Sequence, residues 1–186
     1  QYGVLDIVLP VGISFFTFQS LSYTIDLYRG RIPVCKSAPK FFLFVAFFPQ
    51  LVAGPIVRAS EFLPQLNHAI VLQKENILRG AQIFLIGAFQ KVIIANNLSP
   101  FVDKIFENPD MYSGVTLWLG AICYSIQIFC DFSGYSLMAI GIAKLFGYEL
   151  PENFRMPYLA TSITEFWRRW HITLSFWLRD YLYISL

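Results

Sequence analysis

The stretch with the most chemically useful side chains covers residues 165–181 and reads EFWRRWHITLSFWLRDY. It contains three arginines, two acids and one histidine, His171. A histidine exchanges a proton near neutral pH, and arginines bind phosphates, carboxylates and developing oxyanions. Ionisable side chains in an apolar segment usually face a cavity and mark a functional site. The alternative is that the tryptophans and arginines anchor the chain among lipid headgroups, with His171 as an ordinary polar contact.

A capping sequence opens this stretch, with Ser162 as the N-cap and Glu165 three residues later. We therefore predict one continuous helix from Ser162 to Tyr181. At 3.6 residues per turn, such a helix has two distinct faces. The mostly aromatic face comprises Phe166, Trp170, Thr173, Trp177 and Tyr181. The second face comprises Arg168, His171, Leu174, Ser175 and Leu178.

Asp131 is a second candidate because it interrupts a long apolar run and is followed directly by the sequence FSGY, which ends at Tyr135. Two interpretations stay open. The acid is either the N-cap of the helix that resumes after it, or a catalytic or substrate-binding group. His68 lies in a polar loop typical of a protein surface. The three cysteines have neither CxxC spacing nor a nearby histidine, so the sequence predicts no metal site and no disulfide framework.

The elements that position these residues are predicted to lie in a membrane. Hydrophobic residues make up 56% of the 186 residues and charged residues 14%, against roughly 25% charged in a typical soluble domain. No charged residue occurs in 7–25, 41–57 or 111–130, and Lys91 is alone in 80–102. A helix of about 20 apolar residues crosses a bilayer. The net charge of +2 gives no basis for nucleic-acid binding.

We predict an all-α, multi-pass membrane protein with four or five membrane segments, some of them broken. Residues 1–186 form one partial membrane domain with no separate soluble domain. The first segment, about Val4–Tyr28, contains a proline and a glycine that predict a kink. Two further helices are predicted over 77–98 and 112–130, and the second is interrupted at Asp131.

Residues 41–57 allow two interpretations. The run is only 17 residues long and contains Pro49 and the pair Gly54-Pro55. If it crosses the membrane, the basic residues after it lie outside. If it enters and returns, the basic links on both sides lie in the cytoplasm and the acidic loop 103–110 lies outside. The second arrangement agrees better with the positive-inside rule. We therefore predict a re-entrant or broken segment that protein or a water-filled cavity surrounds.

The sequence WRRWHITLS followed by WLRDY, in residues 167–181, resembles the signature of the membrane-bound O-acyltransferase family, MBOAT. Three further stretches resemble its branch for bacterial alginate O-acetylation. They are FFTFQSLSYTID (15–26), FFPQLVAGPI (47–56), and DFSGY with MAIG (131–141). The matches keep the family's order and run over nearly the whole chain. Members that transfer D-alanine to teichoic acids have a similar histidine helix, but the Arg-Arg pair and the LRDYLY run fit the alginate branch better.

The resemblance implies a membrane O-acyltransferase that moves an acetyl group from a cytoplasmic donor toward an exported polysaccharide at the cytoplasmic (inner) membrane. It identifies His171 as the family's histidine, at the end of a funnel, and we expect it to accept the proton of the acceptor hydroxyl. Arg168 or Arg169 is expected to balance charge on the donor or on the oxyanion. The other expected substrate-binding residues are Trp170, Ser175, Asp131 and Tyr135.

We expect no tightly bound cofactor and no metal, and an acyl donor such as an acetyl thioester as co-substrate. The expected partners are membrane lipid, the donor, the exported polysaccharide and a separate extracytoplasmic acetyltransferase. The family has a second histidine in a later membrane segment, beyond Leu186, so we expect the chain alone to be inactive. Three alternatives stay open: D-alanyl transfer to teichoic acid, a transporter for the acyl donor, and a scaffold for an extracytoplasmic transferase.

Overall fold

A computed structural model describes residues 12–51 and 53–184, and this part of the chain is all-α, as predicted, with no β-strand. The α-helices are α1 (Ile13–Tyr28), α2 (Ala38–Val45), α3 (Ala59–Phe62), α4 (Lys74–Ala88), α5 (Asn96–Glu107), α6 (Gly114–Leu145), α7 (Ile163–Trp167) and α8 (Ile172–Trp177). Two π-helical turns cover Phe89–Ala95 and Leu178–Tyr183. Short 3₁₀ turns cover Phe48–Gln50, Leu63–Asn67, Pro109–Met111 and Pro157–Leu159.

Two long helices form an antiparallel hairpin. The first comprises α4, a π-helical turn and α5, and runs for 34 residues from Lys74 to Glu107; the second is α6, with 32 residues. At 1.5 Å per residue each is roughly 50 Å long, which exceeds the bilayer core of about 30 Å. Among the described residues, these two helices are long and apolar enough to cross a membrane, against the four or five segments predicted. The helix predicted over residues 77–98 is longer in the structure, where it runs from Lys74 to Glu107.

Helix α6 continues through Asp131 without a break, so the predicted interruption is wrong. The interpretation of Asp131 as an N-cap is wrong for the same reason. The N-cap of α6 is Ser113, whose Oγ accepts a hydrogen bond from the Thr116 amide at 3.3 Å. Asp131 is tolerated inside the apolar helix because the Lys91 ammonium of the neighbouring long helix pairs with its carboxylate. An ion pair between two helices leaves no sequence signal within either one.

Helices α4 and α6 touch backbone to backbone at two pairs of glycines. A β-carbon added to Gly134 would lie 2.7 Å from the carbonyl oxygen of Gly87, and one added to Gly141 would lie 2.7 Å from that of Gly80. Both distances are shorter than any normal carbon–oxygen contact. Small residues of this kind allow close helix packing in membranes, where van der Waals contact and polar pairs replace the hydrophobic effect.

Residues 41–57 do not form a spanning helix. Helix α2 ends at Val45, and a 3₁₀ turn and an irregular segment follow. Phe44 and Gln50 are fully buried, and the Gln50 Nε2 donates a hydrogen bond to the Phe44 carbonyl at 2.9 Å. The irregular backbone is therefore surrounded by protein, which is the condition for such backbone at membrane depth.

Helix α1 packs against the C-terminal segment of the described chain. The Trp177 indole donates to the Phe18 carbonyl at 3.0 Å, and the Tyr181 hydroxyl donates to the Asp26 carboxylate at 2.5 Å. Asp26 is buried, and Arg31 compensates its charge at 3.5 Å. The part of the first predicted segment before Gly12 lies outside the described residues.

The prediction of one continuous helix over 162–181 is wrong. The Ser162 N-cap is confirmed, because its Oγ accepts from the Glu165 amide at 3.1 Å, but α7 ends after five residues. The backbone then pairs with residues 152–156 instead of continuing the helix. The Arg155 amide donates to the Arg169 carbonyl at 2.9 Å. The two predicted faces are therefore not faces of one helix.

Candidate active site

The chain turns sharply at residues 168–171 between α7 and α8, and His171 is the last residue of this turn. Its backbone has a φ of 43° and a ψ of 54°, which is the left-handed region. A residue with a β-carbon adopts this conformation at a cost of about 1–3 kcal/mol. The surrounding structure must hold His171 in place, and such strain clusters at functional sites.

Asn153 supplies the groups that hold the two residues after His171. The Asn153 carbonyl accepts from the Ile172 amide at 2.9 Å, and its Oδ1 accepts from the Thr173 amide at 3.3 Å and hydroxyl at 2.9 Å. The Thr173 hydroxyl in turn accepts from the Ile56 amide at 3.0 Å. Asn153 and Thr173 are both buried. Sequence reasoning missed both as functional candidates, because Asn153 lies in a polar break without periodicity.

The His171 ring lies between two phenylalanines. The Phe132 ring meets it edge-on at a centroid distance of 4.7 Å, and the Phe154 ring lies nearly parallel at 6.4 Å. Its Nε2 is buried and has no hydrogen-bond partner among the described residues. Burial lowers the pKa of His171 from 6.5 to about 4. The imidazole is therefore neutral at pH 7 and has a free position for a proton or a substrate hydroxyl.

The two arginines before the histidine point to different places. Arg169 pairs with Glu165 at 2.6 Å and donates to the Arg155 carbonyl at 3.5 Å, so it stabilises the turn. Arg168 is exposed, and its side chain makes no ion pair or hydrogen bond with the described residues. Of the two, Arg168 is the one with a guanidinium available for a ligand.

Trp170 and Ser175 have structural contacts. The Trp170 ring stacks on Phe166 at 5.6 Å and meets Phe154 edge-on at 5.0 Å. The Ser175 hydroxyl donates to the Trp170 carbonyl at 3.4 Å. Trp170 therefore helps to fix Phe154, which contacts His171. Nothing in this geometry directs Ser175 toward a cavity.

Asp131 and Tyr135 line one cavity of about 430 Å³ on the side of α6, together with Gln127 and Phe132. The structure thus brings these two predicted residues together. His171 does not line this cavity, although its ring contacts that of Phe132. Lys91, which sequence reasoning did not select, pairs with Asp131.

A second cavity of about 540 Å³, here called the α4–α6 cavity, lies between the two long helices and residues 152–156. Three buried polar atoms of its lining residues have no partner among the described residues: Gln90 Oε1, Ser136 Oγ and Asn153 Nδ2. Phe154 and Arg169 also line it. It therefore reaches the residues that surround His171 and offers hydrogen bonds to an uncharged polar ligand.

A third cavity of about 360 Å³, here called the arginine cavity, lies on the other side of the same turn. Its lining includes four arginines and three acids: Arg58, Arg155, Arg168, Arg179, Glu61, Glu152 and Asp180. Hydrogen bonds from Arg179 and Arg58 lower the pKa of Asp180 to about 2. The four arginines exceed the three acids by one, and Arg168 makes no ion pair with the described residues, so the cavity suits an anionic group.

The predicted site residues therefore divide among three places. Arg168 lines the arginine cavity, Arg169 lines the α4–α6 cavity, and Asp131 with Tyr135 lines the cavity on the side of α6. Within residues 12–51 and 53–184, no three histidine, cysteine or acidic side chains are grouped to hold a metal ion. The chemistry that the described side chains offer is proton transfer at His171 with hydrogen-bonding and cationic groups on both sides.

Comparison with known proteins places this sequence in a family. The chain is 49% identical over 185 residues, all of its length, to a probable alginate O-acetylase AlgI of Azotobacter vinelandii. It is 44% identical, again over its whole length, to a peptidoglycan O-acetyltransferase of Helicobacter pylori. A teichoic acid D-alanyltransferase of Bacillus subtilis is 30% identical over 94% of the chain. The chain spans 37%, 40% and 45% of these three relatives, respectively.

Residues 31–186 match the sequence pattern of one family, described as MBOAT, membrane-bound O-acyltransferase. This range includes the irregular segment after α2, both long helices and the His171 turn. The resemblance inferred from the sequence motifs is thereby confirmed. The chain belongs to the membrane-bound O-acyltransferase family.

Proposed function

We propose that the full-length protein is an O-acyltransferase that delivers an acetyl group to a hydroxyl of an exported polysaccharide. One observation carries this proposal: a neutral, buried imidazole with an unpaired Nε2 on a strained turn, at His171. The names of the relatives, alginate and peptidoglycan O-acetylating proteins, support acetyl as the group and a glycan as the acceptor.

In the proposed reaction, the Nε2 of His171 accepts the proton of the acceptor hydroxyl as its oxygen attacks the acyl carbon. A hydroxyl is a poor nucleophile at neutral pH, so a positioned base accelerates this step by roughly 10²–10⁴-fold. The bond between the acyl carbon and the sulfur of a thioester donor then breaks. The thiolate leaves with the proton from His171, and an ester remains on the acceptor.

The donor is proposed to be an anionic acyl thioester that binds as a co-substrate. The unpaired guanidinium of Arg168 and the other arginines of the arginine cavity support this class of donor. A phosphate or carboxylate on the donor would meet charge-assisted hydrogen bonds there. The α4–α6 cavity, with its unpaired polar atoms, is the proposed path for the uncharged part of a substrate toward His171.

We propose a multi-pass position in the cytoplasmic (inner) membrane, with residues 41–57 re-entrant. The Lys40 ammonium before this segment donates to Asn67 after it at 2.6 Å. By Asn67 the chain has therefore returned to the level of Lys40, which supports entry and return through the same side. The fully buried Gln50 between them supports surrounding protein rather than lipid.

The proposed partners are membrane lipid, the exported polysaccharide and a separate extracytoplasmic acetyltransferase. The relatives' names support the polysaccharide alone. D-alanyl transfer is the second candidate activity, because a teichoic acid D-alanyltransferase is 30% identical. The higher identities to acetylating relatives favour acetyl. A transporter or scaffold would need no proton acceptor at His171.

The test uses the full-length protein in vesicles, with a labelled acetyl donor inside and the acceptor polysaccharide outside. We expect His171→Ala and His171→Gln to lower label transfer by at least about a hundredfold, because the acceptor hydroxyl loses its base. His68→Ala is the matched control, since His68 is exposed in a loop that is far from His171 in the sequence.

Transfer by both His171 variants at the wild-type rate would exclude the base role and favour a transporter or scaffold. A parallel series with a D-alanyl donor distinguishes the two acyl groups. Preference for D-alanyl over acetyl would overturn the assignment of acetyl while leaving His171 as the base.

A further inference from the structure

We propose that Asn153 and Thr173 are positioning residues that fix the imidazole of His171 in its reactive orientation. This inference rests on the proposed role of His171 as the base. The hydrogen bonds of these two side chains join three segments of the chain that are distant in sequence: residues 53–58, 152–156 and 169–173. The two side chains and these bonds are here called the Asn153–Thr173 clamp.

The direction of every bond in the clamp is determined. The Thr173 hydroxyl accepts from the Ile56 amide, so its single proton is available for Asn153 Oδ1. Oδ1 also accepts from the Thr173 amide. Two donors directed at one atom require the oxygen of the Asn153 amide there, which leaves its buried Nδ2 without a partner among the described residues. The clamp therefore has one arrangement and cannot be satisfied by a flipped amide.

The clamp acts on the backbone next to His171. Asn153 binds the amides of Ile172 and Thr173, the two residues that follow the left-handed His171. Without these bonds, His171 would relax toward an ordinary φ, because a residue with a β-carbon is strained at a φ of 43°. A change in φ rotates the Cα–Cβ bond. The ring then moves away from Phe132, and Nε2 leaves its buried position.

Burial makes the clamp sensitive to single changes. Asn153 and Thr173 have relative exposures of 1% and 7%, so both side chains lie almost entirely out of bulk solvent. Loss of a partner from a buried polar group changes a local equilibrium by roughly five- to a hundredfold. Thr173→Val removes the hydroxyl at nearly constant shape, and leaves both the Ile56 amide and one lone pair of Asn153 unsatisfied. Thr173→Ser keeps the hydroxyl.

The test compares Thr173→Val and Thr173→Ser in the full-length protein with two readouts. The first is the rate at which diethyl pyrocarbonate modifies His171, measured peptide by peptide. We expect Thr173→Val to raise this rate at least about fivefold, since a lost buried hydrogen bond loosens the turn. Thr173→Ser should stay near wild type. The exposed His68 is the internal standard, with an unchanged rate in every variant.

The second readout is acetyl transfer. We expect Thr173→Val to lower kcat by about ten- to a hundredfold with little change in KM. The Thr173 hydroxyl is already bonded to Asn153 and Ile56, so its loss misplaces the base and leaves the arginines of the arginine cavity in place. Thr173→Ser should restore kcat. Thr164→Val is the matched control: Thr164 is exposed in α7 and its hydroxyl has no hydrogen bond with described residues.

If Thr173→Val fails to insert or fold, Thr173→Ala provides the same comparison without a new methyl group beside the Ile56 amide. The proposal is wrong if the variant without a hydroxyl leaves both the modification rate of His171 and kcat within twofold of Thr173→Ser. If His171→Ala itself transfers acetyl normally, the base role fails, and the modification rate still decides whether the clamp holds the turn.

Discussion

The Lys91 ammonium donates to the Asp131 carboxylate between the two long helices of the hairpin, in stretches that are otherwise apolar. Neither Lys91 nor Asp131 has another charged residue near it in its own helix. A charged side chain at membrane depth is expensive unless it is paired or faces water. The pair therefore explains how both helices keep an ionisable residue. Phe132, the next residue along, contacts His171.

We expect Lys91→Met to destabilise the folded protein by about 1–3 kcal/mol, because Asp131 loses its partner. Asp131→Asn should destabilise the protein to a similar extent, since Lys91 then keeps an unpaired charge. The reversed pair, Lys91→Asp with Asp131→Lys, should recover most of the loss. The measurement is the thermal midpoint of the detergent-purified protein. The single variants Lys91→Asp and Asp131→Lys are measured beside the double variant. If the double variant is no more stable than the sum of their two effects predicts, the charge pair is not what holds these helices together.

Gly134→Ala is expected to destabilise the hairpin by about 1–3 kcal/mol through overpacking. The added β-carbon would lie 2.7 Å from the Gly87 carbonyl oxygen, and the helices would have to separate. Gly114→Ala in the same helix is the control, because nothing lies within 4 Å of a β-carbon there. The stabilities of the two variants are compared by the fraction of protein that stays folded in urea on gels, or by the thermal midpoint. Equal behaviour of the two variants would contradict the close contact.

Met156→Gly is expected to raise stability or leave it unchanged. Met156 has a φ of 45° and precedes Pro157, a combination that disfavours any residue with a β-carbon. Glycine removes strain of about 1 kcal/mol, offset in part by its greater freedom in the unfolded chain. Met156→Val should lower the thermal midpoint, since a β-branched residue is strained further. A stabilising effect of valine would show that this turn is not left-handed.

The pH dependence of transfer should report the burial of His171. Burial lowers its pKa to about 4, so the imidazole remains an effective proton acceptor as the pH falls below 6.5. At pH 5.5 the neutral fraction should be about tenfold higher than for an unburied histidine. As the pH is lowered, we therefore expect kcat to fall only well below pH 6.5. The measurement uses vesicles equilibrated to the same pH on both sides. A limb centred at pH 6.5 would indicate a solvated ring.

The long helices and the family were predictable because their signals lie within single segments of the chain. The length of an uncharged run is compared directly with bilayer thickness, and the Trp-His motif is contiguous. The helix break at residues 168–171 was not predictable on these grounds. Its cause is the hydrogen bonding of residues 152–156, which lie before α7. The capping box at Ser162 is compatible with either a long or a short helix.

The candidate site was only partly predictable for the same reason. His171 follows from the motif, but Asn153 and Thr173 matter through contacts between segments, as does Lys91 through its pairing with Asp131. The face assignment placed Thr173 on an aromatic stripe, where its hydroxyl had no role. Pairings of this kind depend on tertiary position, and no local period predicts them.

The π-helical turn Phe89–Ala95 makes the residue count of this segment structurally significant. Such a turn takes up one more residue than α-helical bonding does. Deleting one residue within this turn would restore regular α-helical bonding and leave α5 facing α6 as before, because the wider turn absorbs the extra residue. The same deletion between Asn96 and Val102, in the regular helix, would rotate everything after it by about 100°. Val102 and Ile105, both buried, would then swing away from α6 and Gly120, which Ile105 approaches. A one-residue gap in α5 therefore differs in kind from a gap in the π-helical turn, because only the gap in α5 exchanges its lipid-facing and protein-facing sides.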